Sequence, residues 1–302
     1  MRLTFVPFPK PVTRRGFAIG MMLMAMVPRL PGQPRPNRIV STAPSITEAL
    51  FALGLGTQVV GVSRFCDFPP EVQKLPKVGT YIKPDLEAIA RLEPDLVILQ
   101  GNPTELTNRL KALHISFVEV PHGTLKDVFT GIQIIAAAAW VPERAAPLVR
   151  RIQDGLDAIQ SKAKALPSPR VLLVVDRRQG MLTDLVAIGP TNYVNQILEI
   201  AGGINVLAKP DLPQYPRISL ETVLRENPDV ILDLSGSQES EAQRHAARGA
   251  SLSLWQQNGE LTAVRNGHVY VGTSNAMLVP GPRTVEAAQM LFDYLHGTGK
   301  HA

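Results

Sequence analysis

Residues Pro142 to Leu166 constrain the fold more than any other stretch. A leading proline is followed by Leu148, Ile152, Leu156, Ile159, Ala163 and Leu166 at steps of four and three, and Pro167-Ser168-Pro169 ends the pattern. The spacing predicts one helix of about 24 residues, roughly 36 Å long. On both sides of it the chain alternates short β-branched runs with helical patterns. Before it, strands are expected at Arg38–Thr42, Val59–Ser63, Leu96–Leu99 and Phe117–Val120, with helices at Ile46–Leu53 and Leu86–Leu92. After it come strands at Val171–Val175, Val230–Leu234 and His268–Gly272, and helices at Thr191–Ala201, Leu220–Arg225 and Thr284–Leu295. Apolar runs this short suit parallel strands buried on both faces. The fold class is therefore α/β: two Rossmann-like lobes with mainly parallel sheets, bridged by one long helix. The expected division is residues 1–36 as a leading segment, 37–141 and 168–302 as lobes, and 142–167 as the bridge. A packed rod limits the lobes to small relative motions, so a cleft between them should be largely pre-formed.

An internal repeat supports the two lobes. Leu86-Glu87-Ala88-Ile89-Ala90-Arg91-Leu92-Glu93-Pro94-Asp95 aligns with Leu220-Glu221-Thr222-Val223-Leu224-Arg225-Glu226-Asn227-Pro228-Asp229, sharing Leu, Glu, Arg, Pro and Asp. In each unit the proline removes a donor and restricts its predecessor, so a short helix turns into a strand at a fixed point. Two exposed carboxylates, Glu87 and Glu221, thereby occupy equivalent places. Each is also the first-turn glutamate that a helix dipole favours.

The formal charge of +5 raises nucleic acid or anionic membrane as partners, but the charge sits at the front. Residues 1–36 hold Arg2, Lys10, Arg14, Arg15, Arg29 and Arg35 and no acid, leaving 25 basic against 26 acidic residues from Asn37 onward. That removes the case for a nucleic-acid footprint. Arg14-Arg15 stands directly before Gly16–Val27, an apolar run too short to span a bilayer as a helix. It resembles a twin-arginine export signal, which is a receptor-read address. The one cysteine, Cys66, excludes an internal disulfide framework and a multi-thiolate metal site.

An ordered series of segments carries a family resemblance. These are Asn37 to Glu48 (NRIVSTAPSITE), Val59 to Glu71 (VVGVSRFCDFPPE), Pro76 to Tyr81 (PKVGTY), the Leu86 to Ile98 unit, Asn195 to Gly203 (NQILEIAGG) and Ile218 to Glu221 (ISLE). Together they resemble the substrate-binding proteins of iron-siderophore, haem and cobalamin ABC importers, over nearly all of residues 37–296. The Phe-Cys-Asp-Phe-Pro-Pro and Val-Gly-Thr-Tyr segments are most similar to the cobalamin branch. The resemblance implies an exported, periplasmic, monomeric receptor that holds a corrinoid, haem or ferric siderophore between its lobes. It implies delivery to an ABC permease dimer in the inner membrane, with Glu87 and Glu221 meeting permease arginines. Charge-assisted pairs from two pseudo-symmetric lobes suit such a two-fold partner.

For the ligand, the resemblance points to Phe65, Tyr81 and Tyr215 as aromatic walls, Gln100 where the branch carries a further aromatic, and the late loop with Asn275 and Met277. Aromatic faces suit a flat macrocycle because rings supply contact area at little entropic cost. Haem would favour an axial Tyr or His, and Tyr81 could serve. His114, His122, His245, His268, His296 and His301 show no converging spacing, so no metal site of the protein's own and no resident cofactor are expected. Gly54-Leu55-Gly56 reads as a helix end. The sequence contains no Gly-x-Ser-x-Gly elbow, Walker loop or His-Glu-x-x-His, and Ser235-Gly236-Ser237 has no evident base, so an enzyme is the minor alternative.

Overall fold

The computed structural model describes residues 35–101, 104–235, 241–272 and 274–297. Arg14-Arg15 and the apolar run Gly16–Val27 lie outside them. The first sheet holds four parallel strands in the order β2 (Val59–Val62), β1 (Ile39–Ser41), β3 (Leu96–Gln100), β4 (Phe117–Val120). The second runs β10 (Val269–Val271), β9 (Val230–Asp233), β5 (Arg170–Asp176), β6 (Leu185–Ala187), β8 (Arg217–Ile218), with β7 (Ile204–Asn205) also on β5. Here β10, β9, β5 and β7 are parallel, while β6 joins β5 and β8 antiparallel. Helices cover both sheets: α1 (Pro44–Ala52), α2 (Leu86–Arg91), α3 (Thr104–Ala112) and α4 (Leu125–Ala138) on the first. On the second are α6 (Tyr193–Ile200), α7 (Leu220–Glu226), α8 (Glu241–Gln256), α9 (Thr262–Arg265) and α10 (Thr284–His296). Because parallel strands are covered on both faces, β1, β3 and β9 are apolar along nearly their whole length.

The bridge is α5, Pro142–Ala163, at 22 residues about 33 Å long. It stops three residues before the expected Leu166, because the Leu166 amide turns back onto the Ala163 carbonyl. Its stripe of Leu148, Ile152, Leu156 and Ile159 is buried, and each such side chain contributes about 1.5–3 kcal/mol. That stripe belongs to one continuous core that includes Ile39, Leu50, Ile98 and Ile135 from the first lobe and Leu173, Ile197, Leu232 and Leu291 from the second. Each lobe adds a smaller cluster on the far face of its sheet, around Leu99 and Leu110 in one and around Leu172 and Trp255 in the other.

The repeated unit is built the same way in both lobes. Helix α2 is capped by the Asp85 carboxylate, which accepts from the Ala88 amide at 3.0 Å, and α7 by the Ser219 hydroxyl, which accepts from Thr222 at 3.3 Å. A residue of positive φ stands just beyond each helix, Glu93 at 43° and Asn227 at 41°. An arginine opening the neighbouring strand then closes each end. Arg38 donates to the Leu92 carbonyl at 2.6 Å and Arg170 to the Glu226 carbonyl at 2.7 Å. The Asp95 and Asp229 carboxylates accept from the amides of those same arginines. Helix α6 begins at Tyr193, two residues later than expected, because Asn192 caps it by accepting from the Val194 amide. Helices α3, α4, α8 and α9 and the short strands β6, β7 and β8 were outside the sequence expectation. Among the described residues no helix is long and apolar enough to cross a membrane.

Candidate functional site

In parallel α/β sheets ligands bind beyond the carboxyl ends of the strands. The loops leaving those ends in the two lobes meet each other here. After β4, the Gly123 carbonyl accepts from the Tyr193 amide at 2.8 Å and from the Gln214 side chain at 3.2 Å, and the Leu125 amide donates to Gln196 at 2.6 Å. After β2, both carboxylate oxygens of Asp67 accept from the Asn275 side-chain nitrogen, at 2.8 and 2.9 Å. Residues more than 200 apart in sequence are thus joined where the two lobes meet.

Two expected aromatics come together on the first lobe. Phe65 follows β2 and Tyr81 follows a turn tied to it by the bond from the Arg64 amide to the Gly79 carbonyl, and their ring centroids lie 5.8 Å apart at 59°. Tyr81 is 36% exposed and Phe65 half-buried. Gln100 ends β3 and accepts from the Ser45 hydroxyl at 3.4 Å, where α1 begins. From the second lobe, Tyr215 is 51% exposed and sits beside Gln214, on the loop that bonds to Gly123. This loop passes so close to Gly189 that a Cβ there would stand 2.0 Å from the Pro213 carbonyl oxygen, and the Gly189 amide bonds to the Gln214 carbonyl.

The two late-loop residues behave differently from these. Asn275 is held within the protein: its side-chain nitrogen donates to Asp67 and its side-chain carbonyl accepts from Arg283 at 3.0 Å. Met277 is 0% exposed and belongs to the core, so its side chain offers no surface to a ligand in this conformation. Its carbonyl instead accepts from the buried Tyr193 hydroxyl.

Sequence reading missed the charged seam beneath the loops. Arg283, before α10, donates to Glu48 of α1 at 2.5 Å, with side chains 12% and 2% exposed. The Glu48 Oε2 and Arg283 Nε atoms, both buried, have no hydrogen-bond partner. Burial drives the Glu48 carboxyl above its ordinary range, more strongly than the hydrogen bond and charge of Arg283 draw it down. Burial likewise raises Tyr193 well above the phenolic range. Phe68, also missed, is 41% exposed and lies with its ring 4.2 Å from the Arg283 guanidinium carbon. The segment Arg64 to Pro69 advertises an aromatic loop, but nothing local marks Glu48 and Arg283 as partners across the cleft. A second buried pair, Arg177 with Asp233 at 2.9 Å, fixes the strand ends of β5 and β9, with Trp255 donating to the same carboxylate oxygen.

Glu87 and Glu221 are exposed in the first turns of α2 and α7. Cys66 is buried against the Thr47 hydroxyl at 3.1 Å, and burial pushes its thiol up to about 12. Among the described residues no group of three or more His, Cys, Asp or Glu could hold a metal. A hollow of about 400 Å³ lined by Phe51, Gly54, Gly56, Thr57, Glu71 and Leu75 shares none of the cleft residues.

The chain resembles known proteins over this whole architecture. A vitamin B12-binding protein of Vibrio parahaemolyticus is 30% identical over 254 residues, 83% of this chain and 86% of that protein. The crystal structure of the periplasmic vitamin B12 binding protein BtuF of Vibrio cholerae matches with a TM-score of 0.71 at 26% identity, covering 88% of this chain and 99% of that one. The periplasmic heme-binding protein RhuT from Roseiflexus sp. RS-1, in apo form, gives 0.74 at 27% identity, covering 86% and 98%. A family model described as periplasmic binding protein matches residues 39–276, and the chain belongs to that family.

Proposed function

We propose that this protein is the substrate-binding component of an ABC importer, exported to the periplasm, where it holds a tetrapyrrole metal chelate between lobes of residues 37–141 and 168–302. A corrinoid is the leading ligand. The observation that carries this reading is the Phe65–Tyr81 ring pair on the first-lobe loops, with Tyr215 exposed on the second-lobe loop that bonds to Gly123. Similarity to vitamin B12-binding proteins over most of the chain supports it. Rings on opposing walls suit a flat conjugated ligand, and a shared core suits a site that captures without large closure. The ligand is bound and released unchanged by a monomer, and Arg14-Arg15 directs export by the twin-arginine route. Glu87 and Glu221 meet basic groups of the permease dimer, in equivalent positions set by the matched caps of α2 and α7.

Haem is the second reading, favoured by one observation: the Tyr81 hydroxyl belongs to a 36% exposed side chain and is available as an axial ligand. Titration of the purified protein with cyanocobalamin, cobinamide, haemin and a ferric trihydroxamate, followed by tryptophan fluorescence and chelate absorbance, separates these. One-to-one saturable binding of a corrinoid supports the first reading. A Soret shift with haemin, lost in Tyr81→Phe, supports the second. Turnover of any chelate refutes both.

A further inference from the structure

Phe68 is an exposed phenylalanine held in place from two directions. The residue before it, Asp67, grips the Asn275 amide with both carboxylate oxygens, and its own ring lies 4.2 Å from the Arg283 guanidinium carbon. Asn275 in turn accepts from Arg283, so Asp67, Asn275, Arg283 and the Phe68 ring form a closed circuit across the lobe boundary. Arg283 is anchored without Phe68, by Glu48 and Asn275, and so does not depend on the ring as a lid. Phe68 keeps 41% of its surface open beside this circuit, so part of the ring is accessible to a ligand. A cation on one face draws π density through the ring and leaves the other face better matched to an electron-rich conjugated plane.

We propose that Phe68 is a specificity-determining residue that stacks its open face on the conjugated plane of the bound chelate, selecting tetrapyrroles over ferric chelates that lack one. This rests on the receptor reading above and narrows its substrate class. The loop carrying Phe65 would then present two rings, Phe65 backed by Tyr81 and Phe68 backed by Arg283, with the second fixed by the opposite lobe. Its orientation is therefore set before any ligand arrives, which limits the ordering cost of stacking.

The test titrates the full chain and its Phe68→Ala and Phe68→Tyr variants with cyanocobalamin, cobinamide, haemin and a ferric trihydroxamate. Phe68→Ala should weaken tetrapyrrole binding about tenfold, the loss of one stacked ring. Phe68→Tyr should restore it to within about threefold, and any fall in the thermal midpoint of Phe68→Ala from its lost contact with Arg283 should be recovered in Phe68→Tyr as well. Tetrapyrrole affinity within about twofold of wild type in Phe68→Ala overturns the proposal while leaving the receptor reading intact. Binding of the trihydroxamate alone by the wild type overturns the tetrapyrrole class. A wild type that binds none of the four overturns the receptor reading itself, and the Phe68 proposal with it.

Discussion

Replacing Arg283 by glutamine leaves Glu48 buried without its cation, and the cost can be bounded from the geometry. Glu48 is 2% exposed in its side chain and its nearest other charges, Asp67 and Glu286, are of the same sign. Breaking a buried pair on one side ordinarily costs about 3–5 kcal/mol. Glu48 has an escape, which is to take up a proton. Holding it neutral at pH 7 costs about 3.4 kcal/mol, at 1.36 kcal/mol for each pH unit above its ordinary value of 4.5. At pH 5 the same step costs only about 0.7 kcal/mol. The sign follows from the direction of the shift: a carboxyl raised in the folded state contributes stability that is complete below 4.5 and is lost as pH rises through its folded value. Arg283→Gln should therefore be worse relative to wild type at pH 7 than at pH 5, by at most about 2.7 kcal/mol because the wild-type carboxyl is itself raised and shares part of the trend, over a pH-independent loss of the Asn275 and Phe68 contacts. Urea unfolding at pH 5, 6 and 7 reads this, with Glu48→Gln/Arg283→Gln as the companion that removes the charge altogether. Equal destabilisation at pH 5 and pH 7, or a double variant no more stable than Arg283→Gln at pH 7, refutes the reasoning.

Three further outcomes are expected. Gly189→Ala must displace the Pro213 carbonyl from a 2.0 Å approach. It should lower the thermal midpoint and weaken chelate binding through the Tyr215 loop, and unchanged affinity by titration would detach that loop from the site. Cys66, with its thiol near 12, carries almost no thiolate at pH 8, so a thiol reagent should modify it only after denaturation. Rapid labelling of the folded protein contradicts its burial. Glu87→Ala with Glu221→Ala should abolish uptake in a reconstituted permease assay while leaving chelate affinity within a few fold of wild type. Collapse of binding instead would show that these glutamates act on the ligand.

The sequence was most informative where local chemistry decides structure. Strand β4 is Phe117–Val120 as expected, and α2, α7 and α10 fall within about a residue of their expected bounds, because proline stops and capping side chains act locally at α2 and α7 and Gly297, at φ 65°, closes α10. Helix α4 went unread although its signal was present: Thr124 and Asp127 form a capping box, each side chain accepting from the other's backbone amide. Strands β6, β7 and β8, of two or three residues, are too short to show any period, and β6 and β8 depend on pairing to one another. The loop aromatics Phe65 and Tyr81 could be named from sequence, but Phe68 could not be set apart from them. What distinguishes it is an arginine 215 positions away, itself fixed by a glutamate at the other end of the chain. Charge pairs across a cleft have no sequence spacing, and neither the Glu48 seam nor the Arg38 and Arg170 clamps could be derived from local pattern.

The continuous core through α5 bears on how a captured molecule leaves. A protein that opens on a loose hinge visits its open state unaided, and its cargo escapes at the rate of that excursion. Here Leu148, Ile152, Leu156 and Ile159 lie in apolar packing that reaches both sheets, so swinging the lobes apart would strip buried surface from water-free contact. Opening is uphill by the same interactions that hold the fold together. A ligand that enters without wide separation of the lobes also leaves without it, and any wider separation calls for mechanical work from whatever grips the two lobes from outside.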